Sequence, residues 1–101
     1  MSKDYEEFME NSIAKSADLV NEEMQVTIDV SMYPNKEDFI PPIKGFIKTI
    51  NTYSNLKITT FPTSTVVQGE YHHAMNSVKE TILVCQQEFN NAVYVMKVIP
   101  N

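Results

Sequence analysis

Residues Gln25–Pro34 read Gln-Val-Thr-Ile-Asp-Val-Ser-Met-Tyr-Pro. Val26, Ile28, Val30 and Met32 alternate with Thr27, Asp29, Ser31 and Tyr33, and a period of two predicts a strand with one apolar and one polar face. Pro34 and Asn35 end it. Downstream the period becomes helical, with Phe39, Ile43, Phe46, Ile47 and Ile50 on one stripe. Pro41 and Pro42 fit only the first turn of that helix, where their missing N–H groups are not needed, so it starts near Pro41 and runs to about Tyr53. Leu56–Phe61 and Thr63–Gly69 are rich in Thr, Val and Ile and predict two strands, with Pro62 marking the turn between them. Tyr71, Ala74, Met75, Val78, Ile82, Cys85 and Phe89 form a second helical stripe that Asn90 and Asn91 end. Ala92–Ile99, apolar or aromatic apart from Lys97, is the last strand.

The order from Gln25 onward is therefore strand, helix, strand, strand, helix, strand. This is the split βαβ pattern of an α+β, ferredoxin-like sandwich: a four-stranded antiparallel sheet carrying two helices. Right-handed crossovers put both helices on one sheet face and leave the other open to solvent, a ligand or another subunit. Upstream, Tyr5, Phe8, Met9, Ile13, Ala17 and Val20 recur three or four apart and predict an amphipathic helix. The chain thus divides into an N-terminal helical extension, residues 1–23, and a ferredoxin-like ligand-binding domain, residues 24–101.

A chain of 101 residues supports one core. Its formal net charge is −5, and its eight basic residues are all Lys. That balance disfavours nucleic acid and anionic membranes as partners, and the absence of Arg removes the planar fork that grips phosphate groups. No stretch approaches the roughly 20 apolar residues of a membrane span. The single Cys, Cys85, cannot form an internal disulfide and lies on an apolar helix stripe as a buried structural thiol; together with a polar N-terminus, this predicts a cytoplasmic protein.

Few residues offer chemistry. Asp29 sits in mid-strand between Thr27 and Ser31 and reads as a solvated or Lys97-paired carboxylate, or as an anchor for a cationic or amino group. His72 and His73 point about 100° apart on a helix and do not converge on a metal; no catalytic residues and no metal site are expected. Met32, Met75 and Met96 fall in core elements. Thr63, Ser64 and Thr65 place three hydroxyls at a turn, and Tyr33 and Phe61 end strands where an aromatic wall for a flat heterocycle could stand.

Val30–Pro34 (Val-Ser-Met-Tyr-Pro), the Phe-Ile-Pro-Pro-Ile start of the first helix and Pro62–Glu70 (Pro-Thr-Ser-Thr-Val-Val-Gln-Gly-Glu) resemble the YkoF-like thiamine-binding protein family, over about Met24 to Ile99. The resemblance implies non-catalytic binding of thiamine or its hydroxymethylpyrimidine moiety, with no other cofactor. It also implies a homo-oligomer, dimer or tetramer, assembled through sheet faces or edges. Ser31 and Tyr33 match its first-strand motif, and Ser64, Thr65 and Glu70 match its second segment; Asp29 stands where the family commonly has an amide. Thiamine is a cation with an aminopyrimidine ring. Asp29 or Glu70, the hydroxyls of Ser31, Ser64 and Thr65, and Tyr33 or Phe61 supply the residue types it needs. Two rival readings are an oligomerisation or regulatory module with no ligand of its own, and a small dimeric α+β-barrel enzyme.

Overall fold

The computed structural model describes residues 6–7, 23–34, 40–89 and 92–101. The N-terminal helix expected over residues 1–23 lies almost wholly outside the described residues, as does Phe39. The elements are β1 (Gln25–Pro34), α1 (Ile40–Ile50), β2 (Lys57–Thr60), β3 (Thr65–Glu70), α2 (Tyr71–Phe89) and β4 (Ala92–Pro100). They form one four-stranded antiparallel sheet in the order β2-β3-β1-β4. This is the α+β, ferredoxin-like arrangement that the element order predicts.

The alternation in β1 decides the layering. Val26, Ile28 and Val30 are buried under the helices, while Thr27, Asp29 and Ser31 lie half-buried on the other face. Val67 of β3 joins them directly opposite Ile28, and Phe46 and Ile50 of α1 with Ala74, Val78 and Cys85 of α2 close the core from above. Each large aliphatic side chain so buried contributes about 1.5–3 kcal/mol. Ser77 and Thr81 are buried in the same layer, and their hydroxyls donate to the carbonyls of His73 and Ser77, both at 2.7 Å, so neither brings an unmet polar group into the core.

Local chemistry sets the boundaries. The helix α1 stops at Ile50, short of Tyr53, because the Asn51 amide donates to the Ile47 carbonyl at 2.7 Å and the Thr52 hydroxyl to the Thr49 carbonyl at 2.7 Å. Those side chains take acceptors at the helix end. Asn55 then adopts a φ of 62°, a left-handed conformation that Asn tolerates better than most residues. At the other end of β2, the Phe61 N–H donates to the Ser64 carbonyl at 2.8 Å, which closes a hairpin around Pro62 and Thr63.

The two sheet edges are unlike. The β2 edge is four residues long and polar, Lys-Ile-Thr-Thr. The β4 edge is nine residues long and pairs continuously with β1 from Val26↔Pro100 to Pro34↔Ala92. Met96 belongs to this edge rather than to the core: at 37 % it is exposed, because the helices do not extend over the outermost strand.

Candidate functional site

The two-residue hairpin between β2 and β3 lies beside the N-terminal half of α1, and a cleft opens between them on the helix side of the sheet. Val30 and Met32 line it from β1, and Ile43, Phe46 and Ile47 from α1. Phe61, Pro62, Thr63, Ser64 and Thr65 complete it from the hairpin. The cleft holds about 370 Å³ of empty space, a figure that includes its open mouth. Its walls are mostly apolar, the hairpin supplies three hydroxyl-bearing residues, and Phe61 is half exposed. Such a lining suits one flat ring with a few polar substituents.

The six residues singled out from sequence do not meet in one place. Ser64 and Thr65 line the cleft. Asp29, Ser31 and Tyr33 share the parity of Thr27 and lie on the open sheet face, away from the helices and the cleft. Asp29 faces Val66 on one side and Lys97 on the other. Lys97 is exposed, and the only ion pair among the described residues joins Lys79 and Glu80 at 3.8 Å. Among the described residues, the Oδ1 atom of Asp29 is buried without a hydrogen-bond partner.

Glu70 stands at the opposite end of β3, where the strand passes straight into α2. Its carboxylate accepts the N–H groups of His72 at 3.0 Å and His73 at 3.1 Å. These are among the orphan amides of a helix N-terminus, so Glu70 caps the helix. The two backbone hydrogen bonds, seconded by the neighbouring His72 and His73, hold its carboxyl below the usual carboxylate range. His73 is also committed, with Nε2 2.7 Å from the Ser54 carbonyl. No group of three or more His, Cys, Asp or Glu that could hold a metal ion occurs among the described residues.

The α1 and β1 residues of the cleft, Ile43, Phe46, Ile47 and Met32, read in the sequence as core stripe and strand. Ile43 and Ile47 stay half-buried because the hairpin stands off from α1 there. Behind the cleft, Phe46 packs on the ring of Tyr94 at 5.9 Å. The Tyr94 hydroxyl is buried with no partner among the described residues, and burial, with Cys85 nearby, pushes its pKa up to about 12. Cys85 is itself buried, which raises its thiol pKa.

The fold and cleft define a small ferredoxin-like α+β protein with an apolar, hydroxyl-edged pocket. No protein-family model matches the chain, and no curated protein matches it. Solved structures do. The chain is similar to a proposed thiamine biosynthesis/salvage protein from Thermotoga maritima, with a TM-score of 0.68 and 26 % identity over 74 % of this chain and 82 % of that one. A protein from Streptococcus pneumoniae matches with a TM-score of 0.69 and 26 % identity over 74 % and 84 %. A domain of unknown function from Bacillus cereus shares the fold at 18 % identity and a TM-score of 0.62 over 75 % of each chain. No helix among the described residues is long and apolar enough to cross a membrane.

Proposed function

We propose that this protein binds thiamine or its hydroxymethylpyrimidine moiety without catalysis, and that the pyrimidine occupies the cleft between α1 and the β2–β3 hairpin. The observation that carries this reading is the cleft itself: an apolar floor at Val30, Met32 and Phe46, an exposed aromatic at Phe61, hydroxyl-bearing Ser64 at its edge and the buried Thr65 in its lining. A flat aminopyrimidine needs that combination of apolar contact and a few hydrogen-bonding groups. The similarity to the Thermotoga maritima protein of proposed thiamine biosynthesis or salvage supports the same ligand class.

Among the described residues, no carboxylate lines the cleft. Asp29 lies on the other sheet face and Glu70 caps α2, so neither sits beside the charge of a ligand bound there. The reading therefore favours the neutral pyrimidine as the recognised part, with the cationic thiazolium toward solvent. Glu70 and His73 are held in structural hydrogen bonds away from the cleft.

Calorimetry with hydroxymethylpyrimidine and thiamine on the wild type and on Ser64→Ala/Thr65→Val tests this. The double variant should lose most of the affinity, and Asp29→Asn should leave it unchanged. Loss of binding in Asp29→Asn with retention in the double variant would move the ligand to the open sheet face.

A further inference from the structure

We infer that residues 5–20 of this chain dock within the same molecule on the outermost strand, as an amphipathic helix laid over the helix-side face of β4 at Met96 and Val98. The inference is independent of the ligand. It begins with an apolar face that α1 and α2 leave open. Directly paired residues of a sheet share a face, so Val98 opposite Ile28 and Met96 opposite Val30 lie on the side that carries the helices. Ile28 and Val30 are buried there, whereas Val98 stays 40 % exposed and Met96 37 %. Pro100, paired with Val26, and Met24, itself 37 % exposed, carry the same face to the end of the sheet where β1 begins.

The chain that arrives at that end selects the occupant. The Tyr71 N–H donates to the Met24 carbonyl at 2.7 Å, so the segment before β1 joins the domain beside the first turn of α2, one strand away from β4. Residues 8–22 of that segment lie outside the described residues; Glu6 and Glu7 are helical. Its sequence carries the stripe Tyr5, Phe8, Met9, Ile13, Ala17 and Val20, which needs an apolar surface to cover it. A helix over residues 5–20 is about 24 Å long, and the nine-residue β4 is about 30 Å long. Only Asn21, Glu22 and Glu23 then remain to join it to Met24, a connection of the usual length between a helix and a strand packed on each other. So short a connection keeps the stripe beside the open face of β4 and out of reach of remote surfaces.

Charge favours docking within one chain. Residues 1–23 hold seven Asp or Glu and two Lys, which is the whole formal net charge of −5, while residues 24–101 hold six of each sign. Folding back sets the acidic segment against a domain with no net charge, with its carboxylates toward solvent. Association of two such segments would set like charge against like.

Hydrogen exchange on the full chain, read at two protein concentrations, tests this. The amides of residues 8–20 should exchange at least about tenfold more slowly than in an unstructured chain, and equally at both concentrations. Met96→Glu/Val98→Glu, which places two charges under the stripe, should return them to free-chain rates while β1 and α2 keep their protection. Ile13→Glu/Val20→Glu should do the same from the segment's side, with no change inside the domain. Free-chain exchange in the wild type, or protection that survives either double variant, would overturn the inference. Protection that grows with protein concentration would overturn it too, by placing the segment on a second copy.

Discussion

Asp29 and Lys97 stand directly opposite each other across β1 and β4, yet the Oδ1 atom of Asp29 is buried without a hydrogen-bond partner among the described residues. Cross-strand opposition brings two side chains into reach, but the long Lys side chain stays in solvent, where its charge is better hydrated. The carboxylate is left between Val66 and Lys97 on a half-covered face, with one oxygen dehydrated and uncompensated. Asp29→Thr, which keeps a small polar group and adds the β-branching that strands favour, should therefore stabilise the fold by about 1 kcal/mol. A urea midpoint that rises with an unchanged slope is the expected signature.

Glu70 should make stability pH-dependent. The hydrogen bonds from the His72 and His73 N–H groups hold its pKa below the usual carboxylate range in the folded protein, so the folded state favours the carboxylate, and the stabilisation is fully present above the unfolded pKa. It is lost as pH falls through the lower, folded pKa. Glu70→Gln should melt lower than the wild type at neutral pH, and the two melting temperatures should converge as pH drops below about 4. Circular dichroism melts across that range would show it. A constant gap down to pH 2 would remove the charge from the account.

Tyr94 titrates the other way. Its pKa is raised to about 12 from 10, so the phenol ionises first in the unfolded chain, and stability should fall as pH rises from 10 toward 12. Tyr94→Phe removes an unpartnered buried hydroxyl and keeps the ring against Phe46. It should be neutral to slightly stabilising at pH 7, and it should blunt the alkaline loss. Thermal melts at pH 7, 10 and 11 on both proteins test both parts.

Gly45 of α1 lies against the ring of Phe89 at the end of α2. A Cβ built there would lie 2.5 Å from Cε2 of Phe89, so Gly45→Ala forces the ring at the end of α2 to move. The helix preference of Ala, worth up to about 1 kcal/mol, opposes an overpacking cost of about 1–3 kcal/mol. A net loss of stability by urea unfolding is expected, relieved in the Gly45→Ala/Phe89→Leu double variant.

The fold was open to reading because its elements are locally consistent. Val26 to Met32 alternate cleanly, and the stripe from Tyr71 to Phe89 coincides with α2. What failed locally did so for reasons a one-dimensional pattern does not carry. The end of α1 depends on side-chain hydrogen bonds from Asn51 and Thr52, and the exposure of Met96 depends on β4 being outermost. The site was legible only in part. Ser64 and Thr65 are neighbours in sequence and in the cleft, whereas Asp29, Ser31 and Tyr33 share a strand with Val30 and Met32 but point away from them. The parity was visible in the alternation, but the side of the sheet that carries the cleft was not. Glu70 could not be read as a cap until the strand was seen to enter the helix with no intervening residue.

The most direct test is calorimetric titration of the wild-type protein with hydroxymethylpyrimidine, thiamine and thiamine diphosphate. The account predicts binding tighter than millimolar for the first two and weaker binding of the diphosphate, because a chain without Arg offers its phosphates no bidentate partner. No binding tighter than millimolar by any of the three would contradict it.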